Sequence, residues 1–227
     1  MSQLINIFLE PGKVFAELRE KPTFLVPALI VVGASMASAL AYFQTVDPEW
    51  FSAQQVAAMV AQGSSKAEIA QVQQFMPGAR ASGWIAAATM PVVFAIMFSL
   101  YGLYYWLAGK VAGQAVSFRQ GVSLSAWSLM PMLIGAVIAV IAVFTSSPQS
   151  TFESMQMLNV DPLLVQLPLD HDWSSLAKGF SLLNFWVWFL AALGWKTWFR
   201  TGWGQALSVV LLPSLVIYGI WAAFAAF

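Results

Sequence analysis

The side chains able to do chemistry in this sequence are few and scattered. Its one histidine, His171, stands between Asp170 and Asp172. An imidazole flanked by carboxylates can contribute to a divalent-cation site, but there is no second histidine and no cysteine to complete a nitrogen- or sulfur-rich one. The triplet therefore reads as a solvated acidic loop, and no metal or other cofactor is expected. Serines are plentiful, yet a serine nucleophile needs a base within reach and the apolar stretches supply none. Gly102, Gly109 and Gly113 do not have the spacing that grips phosphates. What remains is a small set of polar or backbone-breaking residues inside apolar sequence: Ser128 with Pro131, and Asn184. Such groups either hydrogen-bond a neighbouring helix or line a path for a neutral or lipidic solute.

The elements that must position these residues are set by hydropathy. Of 227 residues, 59% are hydrophobic and only 9% charged, far from the balance of roughly a quarter charged that is usual in water. Five apolar segments, 23–43, 84–108, 122–144, 180–195 and 206–227, contain no formal charge. At about 1.5 Å per helical residue, some twenty residues cross a hydrocarbon layer of roughly 30 Å. The fourth is short and reaches both interfaces only if Lys178 and Lys196 snorkel. The expectation is an all-α, polytopic membrane protein. Residues 1–22 form a cytoplasmic amphipathic segment, and residues 23–227 form one domain of five transmembrane helices with short helices in its two outer loops. Membrane catalysts and ion-coupled pumps keep ionisable groups inside the bilayer. Their absence here argues against proton-coupled transport, intramembrane proteolysis and most hydrolases, so no enzyme is expected.

Ten basic residues balance ten acidic ones, and no net field draws the chain to nucleic acid. Their placement is uneven. Lys13, Arg19, Lys21, Lys110, Arg119, Lys196 and Arg200 flank one side of the apolar segments, and only Lys66, Arg80 and Lys178 the other. The positive-inside rule then places the N-terminus in the cytoplasm and, after five crossings, the C-terminus outside. The first apolar segment reads as an uncleaved span rather than a secretory signal, because the region before it is long and carries as many acids as bases.

Outside the apolar segments the punctuation is helical. Pro11 suits a first helical turn, and Phe8, Val14, Phe15 and Leu18 make an apolar face expected to lie on the membrane surface; Lys13–Glu17 and Glu17–Lys21 have pairing spacing. Asp47-Pro48-Glu49 and the Ser65/Glu68 capping box mark two short helices, about 48–61 and 66–75, and Ser150 with Glu153 marks another capping box. The two outer connections are expected to pack into one small cap. Gly33, Ala37 and Ala41 repeat every fourth position, as if another helix approaches there. Pro27, Pro91, Pro131 and Pro213 each free a carbonyl one turn earlier, with Ser128, Ser214 and Thr89 the hydroxyls expected near such kinks.

The stretch Ser117 to Ala136, SFRQGVSLSAWSLMPMLIGA, resembles the bacterial branch of the Yip family, named for interaction with Ypt/Rab GTPases. So do the opening IFLEPGKVFAELREKPTFLVPALIV and the later VDPLLVQLPL. The likeness covers essentially the whole chain and implies five spans with a cytoplasmic N-terminus. It offers Arg119 and Gln120 as its functional motif, with Arg119 readable equally as a cytoplasmic anchor. Eukaryotic members work with small GTPases in trafficking through a long cytosolic N-terminal domain that this sequence does not carry, so GTPase binding is not expected. The resulting expectation is an interaction or scaffold protein of a bacterial inner membrane, with lipid and with other membrane proteins or its own copies as partners. The alternative is a small permease around Ser128, Pro131 and Asn184.

Overall fold

The computed structural model describes residues 3–61, 63–168 and 171–226. Within them the chain is helical, and the β-structure is confined to an isolated antiparallel bridge between Asn159 and Ser181. The helices run α1 (Gln3–Leu9), α2 (Pro11–Glu20), α3 (Leu25–Thr45), α4 (Pro48–Ala61), α5 (Lys66–Gln73), α6 (Ala79–Val111), α7 (Phe118–Ser128), α8 (Met132–Thr145), α9 (Phe152–Met155), α10 (Ser174–Gly179), α11 (Leu183–Phe199) and α12 (Trp203–Ala226), with one π-helical turn at Asp161–Val165 between α9 and α10.

Three of these, α3, α6 and α12, are long and apolar enough to cross a membrane. A fourth crossing exists if α7 and α8 are taken together, but they are bent by 40° at a short break. The expected continuous span 122–144 is therefore two helices. Pro131 is the cause: it has no N–H for the Trp127 carbonyl, and the chain passes the gap through i→i+3 bonds, Met130 to Trp127 at 3.3 Å and Met132 to Leu129 at 2.9 Å. At 17 residues, α11 rises about 25 Å and falls just short of a full crossing by length. The last expected span ends on Phe227, outside the described residues.

The chain divides into two compact units: Met1–Ala34, Pro91–Ile134 and Leu182–Ile220 in one, Ser35–Met90, Gly135–Ser181 and Trp221–Phe227 in the other. In the first, Val14, Phe15 and Leu18 of α2 are fully buried with Leu124 and Trp127 of α7 and Leu190, Trp195 and Trp198 of α11. The apolar face expected to lie on lipid is thus occupied by protein. The expected Lys13–Glu17 and Glu17–Lys21 pairs give way to Lys13–Glu10 at 2.7 Å and to Gln3 Nε2 donating to Glu17 at 2.7 Å, because α1 folds back beside α2.

Close approach in this unit falls at glycines other than the expected ones. A Cβ on Gly121 would stand 2.7 Å from the Gly102 carbonyl and 3.0 Å from its Cα, so α6 and α7 cross backbone to backbone. A Cβ on Gly194 would meet Leu124 at 2.4 Å and Phe15 at 2.9 Å. By contrast, a Cβ on Gly33 would meet nothing within 4 Å, so among the described residues no helix approaches α3 closely at that position.

In the second unit, Tyr42, Val46, Ala79, Ala139, Ala142, Val143 and Met155 form the core, with Phe43, Phe51 and Phe152 against it. Asp47 caps α4 through Trp50 N–H at 2.8 Å, and Ser65 with Glu68 forms the full capping box of α5, as their spacing predicts. The two outer connections do meet: the Asp47 N–H donates to the Pro148 carbonyl at 3.0 Å. The predicted Ser150/Glu153 box is displaced by one residue. Tyr42 Oη takes the Ser150 carbonyl at 3.1 Å, and Thr151 caps α9 by accepting from Ser154 N–H.

Two predictions arise from this packing. Gly121→Ala is expected to lower the thermal midpoint in detergent, on the order of 1–3 kcal/mol of overpacking, while Gly33→Ala leaves it unchanged; equal midpoints would disprove the α6–α7 crossing. The Ser65 N–H and hydroxyl hold the Glu68 carboxyl below its usual range. The capping box is then intact above the ordinary carboxylate pKa and is lost as pH falls through the lowered one. The Ser65 N–H is expected to lose its protection from amide exchange, measured against the intrinsic rate at each pH, below that range in the native chain and to have none at any pH in Glu68→Ala.

Candidate functional site

The break between α2 and α3 creates the polar problem around which the first unit is arranged. Residues 21–24 are not helical, and the carbonyls of Arg19, Pro22 and Thr23 need donors. Pro27 sharpens this: lacking an N–H in the first turn of α3, it leaves the Thr23 carbonyl without a helical partner. All three are answered by the start of α7. Gln120 Nε2 donates to the Arg19 carbonyl at 3.2 Å, Arg119 Nε to Pro22 at 2.9 Å, and Ser123 Oγ and Trp127 Nε1 both to Thr23 at 2.8 Å.

Helical spacing makes this possible, since 119, 120, 123 and 127 fall on one face of α7. Ser117 starts the helix there, with its Oγ accepting from the Gln120 N–H at 3.2 Å. Gln120 Oε1 returns to the Ser117 N–H at 2.9 Å. One carboxamide thus caps α7 with its oxygen and closes α2 with its nitrogen, a double task that neither Glu nor Lys can perform. The same region of α2 is gripped again by α11, where the buried Trp198 Nε1 donates to the Phe15 carbonyl.

Arg119 and Gln120, the residues offered by the resemblance, are therefore brought together, with Arg119 Nε and Gln120 Nε2 donating to backbone carbonyls. Ser128 and Pro131 lie at the other end of α7. Both are buried, Ser128 Oγ has no hydrogen-bond partner among the described residues, and neighbouring Trp127 and Met130 are nearly inaccessible. Asn184 is elsewhere in this unit: its Nδ2 donates to Tyr218 Oη at 3.0 Å, joining α11 to α12. One turn along, Trp188 Nε1 donates to Ser214 Oγ at 2.9 Å.

The proline rule holds at a second position, with a different responder. Pro213 leaves the Val209 carbonyl unanswered within α12, and Tyr104 Oη of α6 donates to it. The expected hydroxyls are otherwise engaged, with Ser214 accepting from Trp188 and Thr89 Oγ1 bonding back to Ile85 at 2.9 Å. Ser123, Trp127, Tyr104 and Trp198 belong to no motif in the sequence that marks them as donors. Asking which donors face the carbonyl four residues before Pro27 and Pro213 would have pointed to the first three.

Elsewhere, His171 Nδ1 accepts from the Trp173 N–H at 3.2 Å, a local turn contact ahead of α10, while Asp170 lies outside the described residues. Lys110 sits 3.7 Å over the Trp106 ring and Lys196 5.4 Å from the Trp203 ring. Cation–π pairing of this kind suits side chains at a lipid–water boundary.

Comparison with known proteins gives a coherent result. The model of the Yip1 domain matches residues 5–224. Membrane protein YknW of Bacillus subtilis (strain 168) is similar at 23% identity over 235 residues, covering 99% of this chain and 88% of that protein. No solved structure matches the chain.

The latch is testable without knowing the activity. Gln120→Glu keeps the acceptor that caps α7 but replaces the donor with a second acceptor facing the Arg19 carbonyl. It is expected to cost about 1–3 kcal/mol, read as a lower midpoint of thermal unfolding in detergent, while Arg119→Lys at its exposed position costs at most about 1 kcal/mol.

Proposed function

This chain belongs to the Yip1-domain family, and on that premise we propose that it is a non-enzymatic membrane scaffold, which assembles with its own copies or with other membrane proteins and orders the lipid around it. The observation that carries this reading is the solid interior of the first unit. Phe15, Leu124, Trp127, Leu190, Trp195 and Trp198 fill the space around α7 with at most 2% exposure. The segment holding Ser128 and Pro131, where a permease would place its path, is packed with side chains. Gln120 Nε2 and Asn184 Nδ2 donate to neighbouring helices, and Arg119 Nε donates to the Pro22 carbonyl in the turn between α2 and α3. Interhelical bonds of the Asn184–Tyr218 kind are worth about 0.6 to 1.7 kcal/mol in a bilayer, sufficient reason for a carboxamide there.

Five crossings complete the proposal. They are α3, α6, the bent pair α7–α8, α11 and α12, with Lys196 snorkelling at one end of α11 and Lys178 of α10 lying beyond the other. Charge distribution supports an orientation. The first unit contains seven of the ten basic residues and three of the ten acidic ones. We place the N-terminal helices and the connections with Lys110 and Arg119 and with Lys196 and Arg200 on the cytoplasmic side of a bacterial inner membrane, and the outer connections and C-terminus on the far side. The open groove of α3 at Gly33 and Ala37 supplies a surface for a second helix, since both are exposed within this chain.

Crosslinking in native membranes, followed by identification of the captured proteins, tests assembly, and solute flux in liposomes tests the permease. Gly33→Leu is expected to weaken crosslinked assembly while leaving thermal stability intact, and Arg119→Ala to leave the flux of neutral solutes unchanged. An Arg119→Ala protein that assembles normally yet alters flux would overturn the scaffold in favour of a permease.

A further inference from the structure

The segment between α8 and α11 contains a cleft of about 470 Å³ that the latch and the bundle do not use. Glu153, Met157, Asp161, Leu163, Leu167 and Lys178 are among its lining residues. Asp161 is buried and structural. Its Oδ1 accepts from the Leu167 N–H at 2.9 Å and its carbonyl from the Gln166 N–H at 2.7 Å, which closes the π-helical turn. Gln166 adopts a left-handed φ of 53° to follow it. On the other side, Asn159 Nδ2 donates to the Lys178 carbonyl at 2.7 Å and the Val160 N–H to the Phe180 carbonyl at 2.9 Å, which brings the Lys178 segment alongside this turn.

With Asp161 committed to the turn, two charged side chains remain. Glu153 and Lys178 line the same cleft, yet among the described residues neither forms an ion pair. A carboxylate and an ammonium in one cleft but too far apart to pair are complementary to a ligand carrying both charges. A simple anion is disfavoured, because two carboxylates and one ammonium give the lining a net negative charge.

The location indicates where such a ligand comes from. The strand of chain leading to Glu153 is fastened to the last turn of α3, a helix suited to membrane crossing: Tyr42 Oη holds the Ser150 carbonyl, and the Tyr42 and Phe152 rings lie 5.2 Å apart. Beside the cleft the π-helical turn exposes Leu163, Leu164 and Val165 by 46, 66 and 49%. Three consecutive aliphatic side chains on the surface, next to the end of a membrane helix, suit acyl chains better than water.

We propose that this cleft seats the headgroup of a zwitterionic phospholipid, with the ammonium on Glu153, the phosphate on Lys178 and the acyl chains over Leu163 and Leu164. The same headgroup chemistry exists in soluble form, but a soluble zwitterion makes no use of the aliphatic lip.

The test is native mass spectrometry of the full chain released from nanodiscs of equal parts phosphatidylethanolamine and phosphatidylglycerol. The native protein is expected to retain phosphatidylethanolamine over phosphatidylglycerol. Lys178→Met is expected to lose retention about tenfold, as for one charge-assisted contact. Glu153→Gln is expected to reverse the preference toward phosphatidylglycerol, a change that simple unfolding cannot produce. Leu164→Ser is expected to weaken lipid retention while leaving any binding of glycerophosphoethanolamine unaltered. Equal retention of both lipids by the native protein, no effect of Glu153→Gln, or glycerophosphoethanolamine displacing the lipid at equal concentration would each overturn the proposal. Crosslinked assembly, measured on the same variants, is independent of the outcome.

Discussion

A carbonyl freed by a helix break or a proline and covered by packed side chains is shut off from water, so a donor of the protein has to answer it. That requirement organises the first unit. The turn between α2 and α3 exposes three carbonyls, and four donors on a single face of α7 converge on them. Their convergence sets the crossing of α7 against the N-terminal arm, and the close packing in turn calls for glycine at Gly121, against the Gly102 backbone, and at Gly194, against the Phe15 and Leu124 side chains. Polar satisfaction and close packing are one constraint here. Moving α7 outward to admit a larger residue at 121 would also lengthen the bonds to Thr23.

The aromatic content follows from the same physics. Indole and phenol groups carry one polar atom at the rim of a large apolar ring, so they can deliver a donor to a buried carbonyl without burying a second unmet group. Trp127, Trp198 and Tyr104 each do this toward Thr23, Phe15 and Val209. Serine and threonine are shorter and tend to bond back to their own helix, as Ser125 does to Gly121 at 2.9 Å and Thr145 to Ile141 at 2.9 Å. The rings of Trp127, Trp198 and Tyr104 instead join segments 104, 183 and 105 residues apart in the chain.

Much of the fold was legible in the residues. The caps at Asp47 and Ser65 mark helix starts, and α4 runs over Pro48–Ala61 as its punctuation predicts. Local signals succeed because capping is decided within four residues. The bend at Pro131 was flagged by the proline but not its consequence, since hydropathy is blind to a change of axis inside an apolar run. The destination of α2 was hidden for a different reason. An amphipathic face specifies that it must be covered, not by what, and its cover is Trp198, 183 residues away. The cleft beside Asp161 was equally hidden, because a π-helical turn and a left-handed Gln166 leave no periodic trace.

The latch also has a bearing on biogenesis. Its two halves are separated by 97 to 104 residues, and the Trp198 contact by 183. A chain made from its N-terminus completes α3 before any residue able to hold the α2–α3 turn has been synthesised, so the arm stays undocked until α7 emerges. Its charged, water-compatible sequence between Arg19 and Lys21 suits that wait. Docking of the N-terminal arm is then a late event, completed only when α11 arrives to cover it.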